Sequence, residues 1–135
     1  MGIQKEYKEL ILSNTISIHD ITDEGISIFR WLSDSINQGK YPLKINTVDF
    51  IIAKILNRQK QLYRFRRKYS FDVYVFGTFR KTFNPTYRVA EAFADFYLEM
   101  KILPNIISIP KHIFMKTPKI FINKIRNGVI LYERR

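Results

Sequence analysis

The sequence contains no cysteine, so disulfides, thiolate nucleophiles and cysteine-ligated zinc are excluded, and the redox compartment stays open. Only two histidines are present, His19 and His112; they lie far apart, and neither belongs to a metal-spaced motif. GxSxG, Walker, HExxH and GxGxxG patterns are all missing, which leaves catalysis without an obvious carrier. No run of 18 apolar residues occurs, so no membrane-spanning helix is expected. The opening MGIQKEYKEL lacks the apolar core of a signal peptide. Glu6 stands where a myristoylation signal requires Ser or Thr. Acidic residues are scarce, 12 against 23 Lys and Arg, giving a net charge of +11.

The 135 residues fit one domain, 1–135, and are numerous enough to bury a substantial core. A content of 46% hydrophobic and 15% aromatic residues argues against disorder over most of the length. No internal repeat, Gly/Ser linker or low-complexity segment divides the chain. The charge is lopsided. Residues 1–49 carry five Lys/Arg and seven Asp/Glu, 5 − 7 = −2; residues 50–135 carry eighteen and five, 18 − 5 = +13. An excess of that size in one part of a chain points to a polyanionic partner, either nucleic acid, an anionic membrane surface or an acidic protein face.

Periodicity predicts mostly helices. Residues 4–13 place Tyr7, Leu10 and Ile11 on one side, and 21–38 place Ile28, Phe29, Trp31, Leu32 and Ile36 together, with Gly39 as the stop. The stretch 46–69 reads as a long helix: Val48, Ile51, Ile52, Ile55, Leu56, Leu62 and Tyr63 share a face, while Lys54, Arg58, Lys60, Arg64, Arg67 and Lys68 lie on the remaining arc. The run Tyr69–Phe83 is β-branched and aromatic; it reads as a kinked continuation, with a small β-hairpin within 71–83 as the chief alternative. A further helix, 85–103, starts at Asn84-Pro85, and Thr117-Pro118 opens another over 118–127. The tail GVILYERR is read either as a last strand or as a docked extension. The expected fold is therefore mainly α, a single-domain bundle of about five helices.

Three stretches could carry chemistry. The basic-aromatic run Tyr63–Tyr69 offers guanidinium groups to phosphates and aromatic faces to unpaired bases. Glu91, Asp95 and Glu99, at steps of four, could hold a divalent metal, but they are read as an ion-pair ladder facing Lys60, Arg64 and Lys68. The C-terminal segment alternates Lys and Arg with Ile and Phe, a basic amphipathic pattern that suits an anionic surface. The candidate contact residues are Arg58, Lys60, Arg64, Arg66, Arg67, Lys68, Lys116, Lys119, Lys124 and Arg126. No catalytic residue, metal or cofactor is expected.

The element FIIAKILNRQKQLYRFRRKY, set in a Cys-free, Ile- and Lys-rich chain punctuated by proline, resembles the small basic helical-bundle proteins of crenarchaeal two-tailed and spindle-shaped viruses. That family includes a virion protein and a relative that inhibits host RNA polymerase by occupying its DNA channel. Taken with the charge, the expected function is that of a non-enzymatic, nucleic-acid-associated protein making phosphate-backbone contacts with little sequence specificity. The resemblance implies two alternatives: an inhibitor binding host RNA polymerase, or a virion structural protein. The implied location is the host cytoplasm or the virion.

Overall fold

The computed structural model describes residues 4–20, 26–43, 46–57, 69–79, 85–101 and 104–134; for 26–27, 55–57 and 69–70 the description is of the backbone. Among the described residues there are five strands: β1 (Ile16–Ser17), β2 (Val48–Asn57), β3 (Tyr69–Gly77), β4 (Asn105–Pro110) and β5 (Val129–Glu133). They form one mixed sheet in the order β1-β5-β2-β3-β4. β2 is antiparallel to both β3 and β5, whereas β1 runs parallel to β5 and β4 parallel to β3. The helices are α1 (Lys5–Leu12), α2 (Ile26–Gln38), α3 (Thr86–Ala92), α4 (Ala94–Met100), α5 (Lys111–Lys116) and α6 (Pro118–Ile125), with a 3-10 turn at Ile18–Asp20.

Helices cover the sheet on both faces. On one face Phe29, Leu32 and Ile36 of α2, Val89 and Ala92 of α3 and Phe96 of α4 pack over Ile51, Val73 and Val75. On the other, Tyr7 and Ile11 of α1, Phe114 of α5 and Ile122 and Ile125 of α6 pack over Phe50, Ile52, Tyr74 and Phe76. Two bulges flank the central strand. Val48 pairs with Gly77 and Phe50 with Phe76, leaving Asp49 as the extra residue. Ile51 pairs with Tyr132 and Ile52 with Ile130, leaving Leu131 extra on β5.

The chain is thus α/β, and the expected helical bundle is incorrect. Within 46–69 the described residues 48–57 and 69 are strand. A strand covered on both faces reads as a near-continuous apolar run, and such a run satisfies the i, i+3, i+4 pattern by density alone. Val48, Ile51, Ile52 and Ile55 fit a helical face for that reason, and their β-branching favours the strand. The kinked helical continuation read from Tyr69 is also corrected, since 69–77 are strand, and so is the alternative hairpin within 71–83: β3 pairs with β2, from Asn57↔Tyr69 to Val48↔Gly77, and does not fold on itself. The helix expected over 85–103 is two, broken at Phe93 (φ −94°, ψ 9°) and closed by Lys101 in the left-handed region (φ 59°). The forecasts over 4–13 and 118–127 correspond to α1 and α6, and that over 21–38 to α2 where it is described.

Gly77 sits where β3 meets the start of β2. Thr78 N–H donates to the Thr47 carbonyl oxygen at 3.0 Å, and a Cβ on Gly77 would collide with that same oxygen. Because backbone must move to admit it, Gly77→Ala is expected to cost about 1–3 kcal/mol. Thermal unfolding by circular dichroism should show a fall of roughly 5–10 °C in Tm; an unchanged Tm would contradict the close approach.

Candidate nucleic-acid interface

Pro110 ends β4 in an extended conformation, and α5 begins at the next residue. Thr117 (φ −139°) breaks the helical path, and Pro118 restarts it in the first turn of α6, where its missing N–H costs nothing. Phe114, Ile122 and Ile125 turn inward. That leaves Lys116, Lys119, Lys124 and Arg126 exposed on the outside of a single helical layer. Among the described residues the ion pairs are Lys5–Glu9, Lys8–Glu133, Arg88–Glu91 and Arg134–Asp49, and none involves these four cations.

The layer runs towards one end of the sheet. Lys54, on β2, donates from Nζ to the Lys124 carbonyl oxygen at 3.2 Å, at the end of α6. Three residues further along, Asn57 pairs with Tyr69, so the connector between β2 and β3 leaves and returns at that same end. The connector, 58–68, holds six cations and no acid. Arg58, Lys60, Arg64, Arg66, Arg67 and Lys68 all belong to it and lie outside the described residues. Four of the ten candidate residues are thus exposed on α5, on α6 and just after it, and the other six lie outside the described residues.

Lys54 was not among the candidates, although a lysine within the apolar run FIIAKIL was the visible signal. The row it belongs to also holds Asp72 and Asn105, in register on β3 and β4. Asp72 accepts from Asn105 Nδ2 and from the Tyr74 hydroxyl, both at 3.3 Å. Burial, followed by the charge of Asp72 and this hydrogen bond, raises the Tyr74 pKa above its usual value. No group of three or more His, Asp or Glu that could hold a metal is found among the described residues. The acidic stripe is divided by the break at Phe93, and Glu91 faces Arg88 on its own helix at 3.8 Å. The proposed ladder partners Lys60, Arg64 and Lys68 lie outside the described residues.

A second polar cluster stands at the opposite end of β2 and pairs one cation, Arg134, with a buried carboxylate. Arg134 donates from Nε to Asp49 Oδ1 at 2.8 Å and from its backbone N–H to the Asp49 carbonyl oxygen at 2.8 Å. The Tyr7 hydroxyl donates to Asp49 Oδ2 at 3.2 Å, and Lys111 Nζ lies 5.3 Å from the Tyr7 ring centre. The cluster ties α1 and the residue after β5 to the bulge of β2. Its buried tyrosine is a fixed donor, because burial and the adjacent Asp49 charge hold the Tyr7 phenol well above its ordinary pKa.

Comparison with known proteins found no matching family model, curated protein or solved structure. In the element that carries the resemblance to the viral helical-bundle family, the described residues 50–57 and 69 are strand. No helix among the described residues is long and apolar enough to cross a membrane.

The tyrosine carries a pH signature. In the unfolded chain Tyr7 ionises near pH 10, while in the folded chain it stays protonated, so its stabilising contribution is complete below about pH 10 and is lost as pH rises further. Tyr7→Phe is expected to lose about 1–3 kcal/mol at neutral pH, for a hydrogen bond to a charged acceptor, and to show a shallower decline above pH 10. Urea titrations across pH 7–11 check both; parallel curves for the two proteins would contradict the assignment.

Proposed function

We propose that this protein is a non-enzymatic binder of nucleic acid, held through backbone phosphates with little dependence on base sequence. The observation that supports this reading best is that Lys116 on α5, Lys119 and Lys124 on α6 and Arg126 just after it are exposed and join none of the ion pairs among the described residues. Exposed lysine and arginine can neutralise backbone phosphates, contacts that carry charge but no base information. The 58–68 segment adds aromatic residues among its cations, which suits stacking on unpaired bases.

The test is a titration of fluorescent duplex DNA at several salt concentrations. Affinity should fall linearly on a log–log plot, and replacing Lys116, Lys119, Lys124 and Arg126 by Gln should reduce the slope by roughly 0.9 for each phosphate no longer neutralised. These side chains are exposed, so the far-UV spectrum should not change. Absent binding, or binding indifferent to salt, would overturn the reading. If the same surface instead docks an acidic protein such as RNA polymerase, a pull-down from lysate will retain that protein after nuclease treatment.

A further inference from the structure

The two edges of the sheet are finished differently. At the β1 edge the outer strand is two residues long, and β5 bulges at Leu131 beside it. The Leu131 carbonyl oxygen accepts from Ser33 Oγ at 3.0 Å and from Asn37 Nδ2 at 3.4 Å, so side chains of α2 occupy a position where another strand would bond. Short strands, bulges and capped carbonyls are the usual means of preventing edge-to-edge pairing.

The β4 edge has none of these. Its register against β3 is unbroken from Asp72↔Asn105 to Gly77↔Pro110. The segment NIISIP contains no charge, and its only proline is the last residue. Among the described residues, nothing but β3 bonds to its backbone. Ile106, Ile107 and Ser108 are half-buried, whereas their β3 partners Val73, Tyr74 and Val75 are buried. Exposed apolar side chains collect on the helices adjoining this strand in the chain. Of the seven large hydrophobics exposed among the described residues, five belong to α3, α4 and α5: Tyr87, Tyr97, Leu98, Met100 and Ile113. α3 is anchored over β4, with Thr86 Oγ1 and Ser108 Oγ 2.9 Å apart.

We propose that β4 is a self-association edge: two copies of this chain pair their β4 strands antiparallel about a two-fold axis, joining two five-stranded sheets into one of ten. Charge bears on the occupant. The six residues of β4 carry none, so two copies of the strand pair without like charges in register. A foreign acidic partner would be drawn to the cations of α5 and α6, because β4 presents it with no charge. An isologous pairing needs only a strand compatible with itself, and a neutral isoleucine-rich strand meets that condition.

The experiment uses the full chain, freed of nucleic acid by nuclease and high salt, so its outcome is independent of the phosphate-binding reading. Sedimentation over a wide concentration range should show a mass rising from 16.2 kDa towards twice that value. A strict monomer throughout would overturn the proposal. Ile107→Lys should abolish the dimer while preserving the far-UV spectrum, and a dimer that survives it places the interface elsewhere. Should that variant not fold, single cysteines at Asn105, Ile106, Ile107 and Ser108 decide the matter, because the chain has no other thiol. A residue at the two-fold lies within disulfide reach of its copy, whereas one two positions away is separated by roughly 13 Å, too far to bridge. Cross-linking should therefore peak at one position and fall away; equal yields at all four would overturn the assignment.

Discussion

The pairing of β2 with β3 is the constraint that everything else in this structure obeys. Nine register pairs join them, from Val48↔Gly77 to Asn57↔Tyr69. Phe50, Ile51, Ile52 and Ala53 are inaccessible to solvent on alternating sides, so β2 needs a cover above and below. The helices are arranged to provide it: α2, α3 and α4 on one face, α1, α5 and α6 on the other. Ring-on-ring contacts reinforce both layers, with Trp31 edge-on to Phe96 at 5.3 Å and Phe76 edge-on to Phe114 at the same separation.

The two ends of β2 then take different tasks. Its first residues hold the bulge at Asp49, where the buried carboxylate draws in Arg134 and Tyr7 from sequence distances of 85 and 42 residues. Asp49 is buried while Arg134 stays partly in solvent, so losing Arg134 would strand a buried carboxylate. Lys54 steadies the last turn of α6, and the hairpin connector with its six basic residues departs from the neighbouring pair.

What the sequence disclosed follows from how each element is buried. α1 and α6 are amphipathic and punctuated, by Tyr7 with Ile11 and by Pro118, so periodicity locates them. β2 hid because burial on two sides erases the alternation that marks a strand. The break at Phe93 was invisible because Val89, Phe93 and Phe96 all remain buried across it. β4 escaped notice as six uncharged residues between Pro104 and the helix that follows Pro110. Among the candidate residues, the exposure of Lys116, Lys119, Lys124 and Arg126 was legible because they share one short amphipathic segment. The Asp49–Arg134 pair was not, since only the sheet order brings those residues together.

That order has a consequence for biosynthesis. β5 lies between β1 and β2, with Ile16 paired to Val129. The earliest strand to leave the ribosome thus has no neighbour until the latest one arrives, more than a hundred residues afterwards. At about 5–20 residues per second this is a delay on the order of ten seconds. During that interval the β2 margin destined for β5 stays open, and the nascent chain depends on chaperones or on the β2–β3 hairpin alone to avoid joining a neighbour on the same polysome.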